Sequence, residues 1–233
     1  MKILSFLCTY SLSFTLTIPN SLLSFLRTLF NFTNNYKYMI LLLLGYLCLI
    51  GLFYIEYRFE SSRLTTTLQT SADDRGTTRL LILSYFLSIF VAPLWLLLFS
   101  TSLAPNFAMA ITMPTFFGWL GLSVMVLSLI LLYWATFVNP FYLRALATTD
   151  DHFICTDGPY QYIRHPGYLA FMLAWIGFAF VTQNWISFGM ITVLMTWVYV
   201  LRIRAEEQMM LDRFGVDYQQ YINETRRLIP VIY

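Results

Sequence analysis

Apolar residues in this chain run in blocks instead of alternating with polar ones. Tyr38–Tyr54 reads YMILLLLGYLCLIGLFY, Leu80–Ser100 is apolar around Pro93, and Phe116–Val138 is apolar almost throughout. A fourth block, Pro166–Leu201, is interrupted only by Thr182-Gln-Asn-Trp185. A membrane-spanning helix needs about 20 apolar residues. The first three blocks therefore predict one helix each, with a kink at Pro93. The fourth is long enough for two helices and a tight turn, an antiparallel hairpin. From Arg202 the pattern changes: RIRAEEQMMLDRFGVDYQQYINETRRLIP is charged and rich in helix formers. Gly215 predicts a break between a helix ending near Phe214 and a second running from Val216 to about Arg226, closed by Pro230. The predicted class is all-α: a polytopic membrane helix bundle with a C-terminal helical hairpin and a cytoplasmic amphipathic tail.

Charge sharpens the picture. No Asp, Glu, Lys or Arg occurs from Leu80 to Leu143 or from Pro166 to Leu201. An ionised side chain at bilayer depth costs about 2.5–3.5 kcal/mol on insertion scales, so these stretches are where lipid belongs. The chain is 58% hydrophobic and 11% charged, against about 25% charged in soluble domains. A net charge of +2 is too small to suggest a nucleic-acid partner. Cys8, Cys48 and Cys155 have no metal-type spacing and form no disulfide framework.

The chain divides into residues 1–37, an N-terminal targeting or additional membrane segment, residues 38–138, about three transmembrane helices, and residues 139–233, a module with a polar loop, the hairpin and the tail. The first 30 residues, with a basic start and an apolar core, fit either a signal segment or a sixth span. The expected loop Asn20–Lys37 carries Arg27 and Lys37, and Asn31-Phe-Thr in it has the form of a glycosylation sequon. Glu56–Arg79, Asn139–His165 and the tail hold four, two and five arginines, while Thr101–Thr115 holds no charge. Basic loops favour the cytoplasm, which predicts these three segments on that side.

A helical hairpin returns the chain to the face it left. Two polar clusters then meet at one membrane surface. One comprises His152, Asp157, Tyr160, Tyr162, Arg164, His165 and Tyr168; the other comprises Arg202, Arg204, Glu206 and Glu207. Arg202 and Glu206 are four residues apart, on one helical face. Taken singly, each has an ordinary explanation. Arg202 and Glu206 could be a juxtamembrane salt bridge, Pro166 a first-turn proline, His165 a hydrogen-bonding residue, and the tyrosines interface anchors.

The two motifs together, TDGPYQYIRHPGYLAFMLAWIG and RIRAEEQMMLDRFGVDYQQYINETRRLIP, resemble the isoprenylcysteine carboxyl methyltransferase family, within a wider group that includes phospholipid methyltransferases. The resemblance runs from about Asn139 to Pro230. It implies an integral membrane enzyme that uses S-adenosylmethionine and takes a lipidic or prenylated substrate from the bilayer. It implies cofactor contacts at His152, Phe153, Ile154, Cys155, Tyr160, His165, Pro166, Gly167, Tyr168 and Glu206. It also implies a catalytic, substrate-side Arg202. The Asn139–Asp151 connection has no counterpart in the family's pattern. The active site would face the cytoplasm, at the endoplasmic reticulum in a eukaryote or the inner membrane in a bacterium.

These residue types suit methyl transfer, in which orientation alone supplies several kcal/mol. Histidine, tyrosine and the amides of a helix start can hold a carboxylate, and a glutamate suits an ammonium or ribose hydroxyls. A carboxylate acceptor needs no base, only a cation to align it, which Arg202 provides as a donor fork. An amine acceptor needs a proton acceptor, for which Glu207 is the candidate. The glycine-rich turn after a strand that marks soluble nucleotide-binding folds does not occur. Three readings stay open: a carboxyl methyltransferase, a phospholipid or lipid-amine N-methyltransferase, and a membrane reductase or non-catalytic protein sharing the fold.

Overall fold

The computed structural model describes the backbone of residues 20–61, 69–70, 76–100, 112–139, 142, 147–148 and 154–228, with side chains described within 36–59, 76–91, 112–139, 142 and 154–228. The readings made on residues 1–19, on His152 and Phe153 and on Pro230 lie outside the described residues. Two compact units divide the chain, Met1–Lys37 and Tyr38–Tyr233. The packing and the site described below belong to the second.

Six helices are described. They are α1 (Asn20–Ser61), α2 (Thr77–Ser100), α3 (Thr115–Val138), α4 (Pro166–Val181), α5 (Trp185–Phe214) and α6 (Val216–Glu224), with a 3₁₀ turn at Gly158–Gln161 before α4. Two short strands, β1 (Gln69–Thr70) and β2 (Ala147–Thr148), pair antiparallel. That ladder ties the α1–α2 connection to the α3–α4 connection, so the two lie on one face. Among the described residues, three helical segments are long and apolar enough to cross a bilayer: Tyr36–Phe59, Thr115–Val138 and Trp185–Phe214. The chain is a multi-pass membrane protein.

Polar residues at Asn31–Lys37 led to the expectation of a loop at Asn20–Lys37, but α1 begins at Asn20 and carries that stretch as helix. The same helix takes in Glu56 and Arg58, expected in the next loop. Neither stretch contains Gly or Pro, so nothing local ends the helix; polarity marks where lipid stops, not where hydrogen bonding stops. α2 likewise continues through Pro93.

The hairpin is as predicted in form but unequal in its arms. α4 has 16 residues and α5 has 30, about 24 and 45 Å at 1.5 Å per residue. The short arm falls below the roughly 30 Å hydrocarbon thickness, and the long arm exceeds it. The turn is built by Asn184, whose Oδ1 accepts from the amides of Ile186 and Ser187, both at 2.9 Å, as a helix N-cap. Gln183 supplies the reversal with φ of 50°, and the Thr182 hydroxyl donates to Ala179 O.

α4 is the central helix. Its Ala170, Phe171, Ala174, Trp175, Phe178, Ala179 and Val181 are all buried. Tyr46 and Phe53 of α1 pack on Phe178 and Phe171, and Tyr85 of α2 stacks on Trp175 at 5.3 Å. Lipid is as apolar as leucine, so close packing rather than water exclusion must hold such helices together. The closest approach is between α3 and α4. A Cβ on Gly121 would meet Gly177 O at 2.4 Å, and one on Gly177 would meet Gly121 O at 2.6 Å. Three buried hydroxyls bond within their own helices: Ser84 donates to Leu81 O, Ser128 to Met125 O and Thr136 to Leu132 O.

Gly177→Leu should therefore destabilise the bundle by about 1–3 kcal/mol, the usual range for overpacking. Gly189→Ala, with nothing within 4 Å of the added methyl, should not. Thermal unfolding of both variants in one detergent checks the contrast.

Candidate active site

The antiparallel register of α4 and α5 brings His165, just before the first turn of α4, beside residues 202–207 of α5. Here the chain puts its charges back. Glu207, buried, is the hub. Its Oε1 accepts from Arg164 Nε at 3.0 Å and lies 3.3 Å from His165 Nε2, and its Oε2 pairs with Arg227 Nη2 at 2.6 Å. A lone carboxylate so buried would be costly; two arginines and the His165 ring offset that cost.

Arg164 does more than pair with Glu207. Its Nη1 donates to Thr225 O at 2.6 Å and to Ile222 O at 3.1 Å, covering carbonyls at the end of α6. The backbone locks the same contact. Arg164 N donates to Arg226 O at 2.7 Å, Arg226 N to Tyr162 O at 3.0 Å and His165 N to Arg227 O at 3.2 Å. The Tyr221 hydroxyl reaches Tyr160 O at 2.8 Å. The tail is thereby fastened along the loop that enters α4.

Glu206 faces a different way. Its side chain is 28% exposed, its Oε1 lies 3.6 Å from His165 Nδ1, and its Oε2 accepts from the Tyr168 hydroxyl. His165 thus sits between two carboxylates, its ring stacked on Tyr168 at 5.7 Å. Burial alone would make this imidazole harder to protonate, but Glu206 and Glu207 outweigh that and raise its pKa above the ordinary 6.5.

One turn toward the membrane, Arg202 is only 1% exposed and donates from Nη1 to the hydroxyls of Thr77 at 3.0 Å and Thr78 at 2.8 Å at the start of α2. One turn further, the Tyr199 hydroxyl meets that of Tyr85 at 2.6 Å. Tyr199, Arg202 and Glu206 are spaced three and four apart, so they form one stripe of α5 running from lipid depth to the surface.

Among the expected site residues, His165, Pro166, Gly167, Tyr168, Arg202 and Glu206 come together at the mouth of the hairpin. Cys155 and Tyr160 pack in a small core with Ala135, and Tyr160 lies within electrostatic reach of Glu206. Burial pushes the Cys155 thiol up, which makes it a packing residue and not a ready nucleophile. Ile154 is half-buried beside it. Reading the sequence missed three residues. Glu207, the candidate base only for an amine acceptor, is the ion-paired hub. Arg164 is a tail anchor. Tyr142, in the connection without a family counterpart, packs on Gly167. The Arg164 and Glu207 roles could have been suspected from two charges bracketing a charge-free hairpin; Tyr142 had no signal beyond being aromatic.

Residues 119–212 match the family model of the Isoprenylcysteine carboxyl methyltransferase (ICMT) family. A protein-S-isoprenylcysteine O-methyltransferase of Schizosaccharomyces pombe is 31% identical over 91 residues, 39% of each chain. Methanethiol S-methyltransferase 1 of Bradyrhizobium diazoefficiens is 27% identical over 136 residues, 54% of this chain and 43% of that protein. The solved structure of a eukaryotic intramembrane Ras methyltransferase ICMT aligns with a TM-score of 0.53 at 23% identity, over 64% of this chain and 52% of that one. The match runs from within α3 to near the end of α5 and makes that segment similar to the ICMT family. It starts upstream of the expected boundary at Asn139 and stops before the FGVDYQQY run. These matches span about two fifths of the curated relatives' own length.

The raised pKa of His165 has a measurable consequence. A group more basic in the folded than in the unfolded protein stabilises fully below its unfolded pKa, and that contribution is lost as pH rises through the folded value. His165→Asn should thus lower the melting temperature most below pH 6.5 and progressively less above it. Melting curves of both proteins at about pH 6 and about pH 9 decide this, since those values bracket the usual histidine range. A gap that does not narrow at the higher pH contradicts it.

Proposed function

We propose that the protein is an S-adenosylmethionine-dependent methyltransferase working at the cytoplasmic face of a membrane. Its leading reaction is carboxyl O-methylation of a prenylcysteine-like or other lipidic acid that enters from the bilayer. The observation that carries this reading is the α5 stripe, with buried Arg202 on the lipid side of Glu206 and the start of α4 alongside. Such a stripe offers one cation to the acceptor and one carboxylate to the donor, a single helical turn apart.

The residues present fit the donor. The first turn of α4 has backbone amides without intrahelical partners, which favour a carboxylate. The exposed part of Glu206 suits an ammonium or a ribose hydroxyl pair, and Tyr168 and His165 orient that side chain. The donor supplies an electrophilic methyl group; the chain's own contribution is to align and to keep water out. Arg202, held by Thr77 and Thr78, is a fixed donor fork for an anionic acceptor. An amine acceptor has less support, because the lone pairs of Glu207 are taken by Arg164, His165 and Arg227. A thiol acceptor is the second reading, favoured by the longer stretch shared with Methanethiol S-methyltransferase 1.

Glu206→Ala should weaken binding of S-adenosylhomocysteine about 10- to 100-fold, the range for a charged hydrogen bond of about 1.5–3 kcal/mol. Calorimetric titration of folded protein measures it, and an unchanged dissociation constant would remove Glu206 from the donor site. Methyl transfer to an N-acetylated prenylcysteine, to methanethiol and to phosphatidylethanolamine, compared side by side, separates the acceptors.

A further inference from the structure

The ring of Tyr142 occupies the space that any side chain at position 167 would need. A Cβ built on Gly167 would meet Tyr142 Cε2 at 2.5 Å, its hydroxyl oxygen at 2.9 Å and Cζ at 3.1 Å. Contacts that short are not tolerated, so Gly167 and Tyr142 are a matched pair. The missing side chain on the second residue of α4 lets a tyrosine from another connection lie across the first turn of that helix.

Tyr142 is held in this place from two directions. Its amide donates to Asn139 O at 3.3 Å, and Asn139 continues α3, with its own amide on Ala135 O at 3.1 Å. The ring packs against the main core. Its phenol lies within electrostatic reach of Glu56 on α1, Tyr85 on α2, Tyr160 and Tyr168. Those neighbours fall on two sides. Tyr85 lies toward the membrane side, where it is bonded to Tyr199. Tyr168 belongs to the surface side, where it is bonded to Glu206. The Tyr142 hydroxyl therefore stands at the seam between the end that suits a charged donor and the end that opens toward lipid. Burial, followed by the nearby Glu56 carboxylate, raises its pKa well above 10, so the phenol keeps its proton and stays a hydrogen-bond donor.

We infer that Tyr142 is an acceptor-positioning residue, whose hydroxyl donates to an oxygen of the acceptor head group on the lipid side of the donor held at the first turn of α4. Together with the Arg202 fork it gives an oxygen-bearing acceptor two fixed points, which sets the line of transfer. A methanethiol-like acceptor has no oxygen and gains nothing from it. This inference rests on the methyltransferase reading above. The competing explanation is that the ring only fills space over Gly167.

Tyr142→Phe separates the two, since it keeps the ring and removes the O–H. The full-length protein in detergent is assayed with an N-acetylated prenylcysteine at saturating S-adenosylmethionine, with S-adenosylhomocysteine affinity and melting temperature measured in parallel. The expected result is a fall of about tenfold or more in kcat/KM for the acceptor, with donor affinity changed less than about twofold and the melting temperature unchanged. Parental kcat/KM in Tyr142→Phe overturns the inference, as does a loss of donor affinity that accounts for the whole effect. As a check on the contact itself, Gly167→Ala should lower the melting temperature in the parent and much less in a Tyr142→Ala background; equal losses in both contradict the pairing. A parent that neither binds S-adenosylhomocysteine nor transfers a methyl group sinks the methyltransferase reading and this inference with it. An active parent with an unaffected Tyr142→Phe sinks only the role of Tyr142.

Discussion

Everything at the hairpin mouth depends on the buried carboxylate of Glu207. It sits where apolar helix gives way to charged helix, and it gathers Arg164, His165 and Arg227 from two other segments. Breaking a buried pair by removing one partner typically costs about 3–5 kcal/mol, because the remaining charge is left stranded. That penalty makes the cluster all-or-none. With it formed, the loop before α4, the end of α5 and the tail beyond α6 are one body. Without it, His165 would keep only its contacts with Glu206, Tyr168 and the Arg227 carbonyl. The neighbouring carboxylates thus divide the work: Glu207 fixes the frame, and Glu206, partly exposed, is left for chemistry.

The membrane sets the second constraint. Helices in lipid gain little from hiding apolar surface and must fit closely, which the Gly121–Gly177 crossing allows. That fit fixes the position of α4, and the short length of α4 fixes the depth of His165. A longer arm would carry Arg-His-Pro out into water, away from Arg202. As built, the first turn of α4, Tyr168 and Glu206 share one level, with Arg202 one turn below and the hydroxyl pair of Tyr85 and Tyr199 below that. The arrangement has a charged upper end and an aromatic lower end, which suits a reaction between a polar donor and a lipidic acceptor.

Much of this was legible in the residues. Charge-free runs marked the bundle, Thr182–Trp185 marked the turn, and two polar clusters flanking one hairpin had to converge. The family resemblance, carried by RHPGY and RIRAEE, overlaps the region that the family comparison matched but starts and ends later. What was hidden has physical reasons. The start of α1 at Asn20 was missed because hydropathy reports lipid, whereas helices end only where the backbone loses partners. The division between Glu206 and Glu207 depends on a 100° difference in direction around α5 that only the packing of Arg164 and Arg227 decides. Gly167 also makes room for Tyr142, a contact between residues 25 apart that no local spacing encodes.

The central claim is that the fastened hairpin mouth is where the methyl donor is held. The most direct measurement is an experimental structure of the full-length protein in a lipid nanodisc with S-adenosylhomocysteine bound. The account predicts density for the ligand's amino-acid end within hydrogen-bond reach of Glu206 or the first turn of α4, with the Arg164–Glu207 pair intact. Ligand density on any other face of the bundle, with the hairpin mouth empty and that pair still formed, would contradict it.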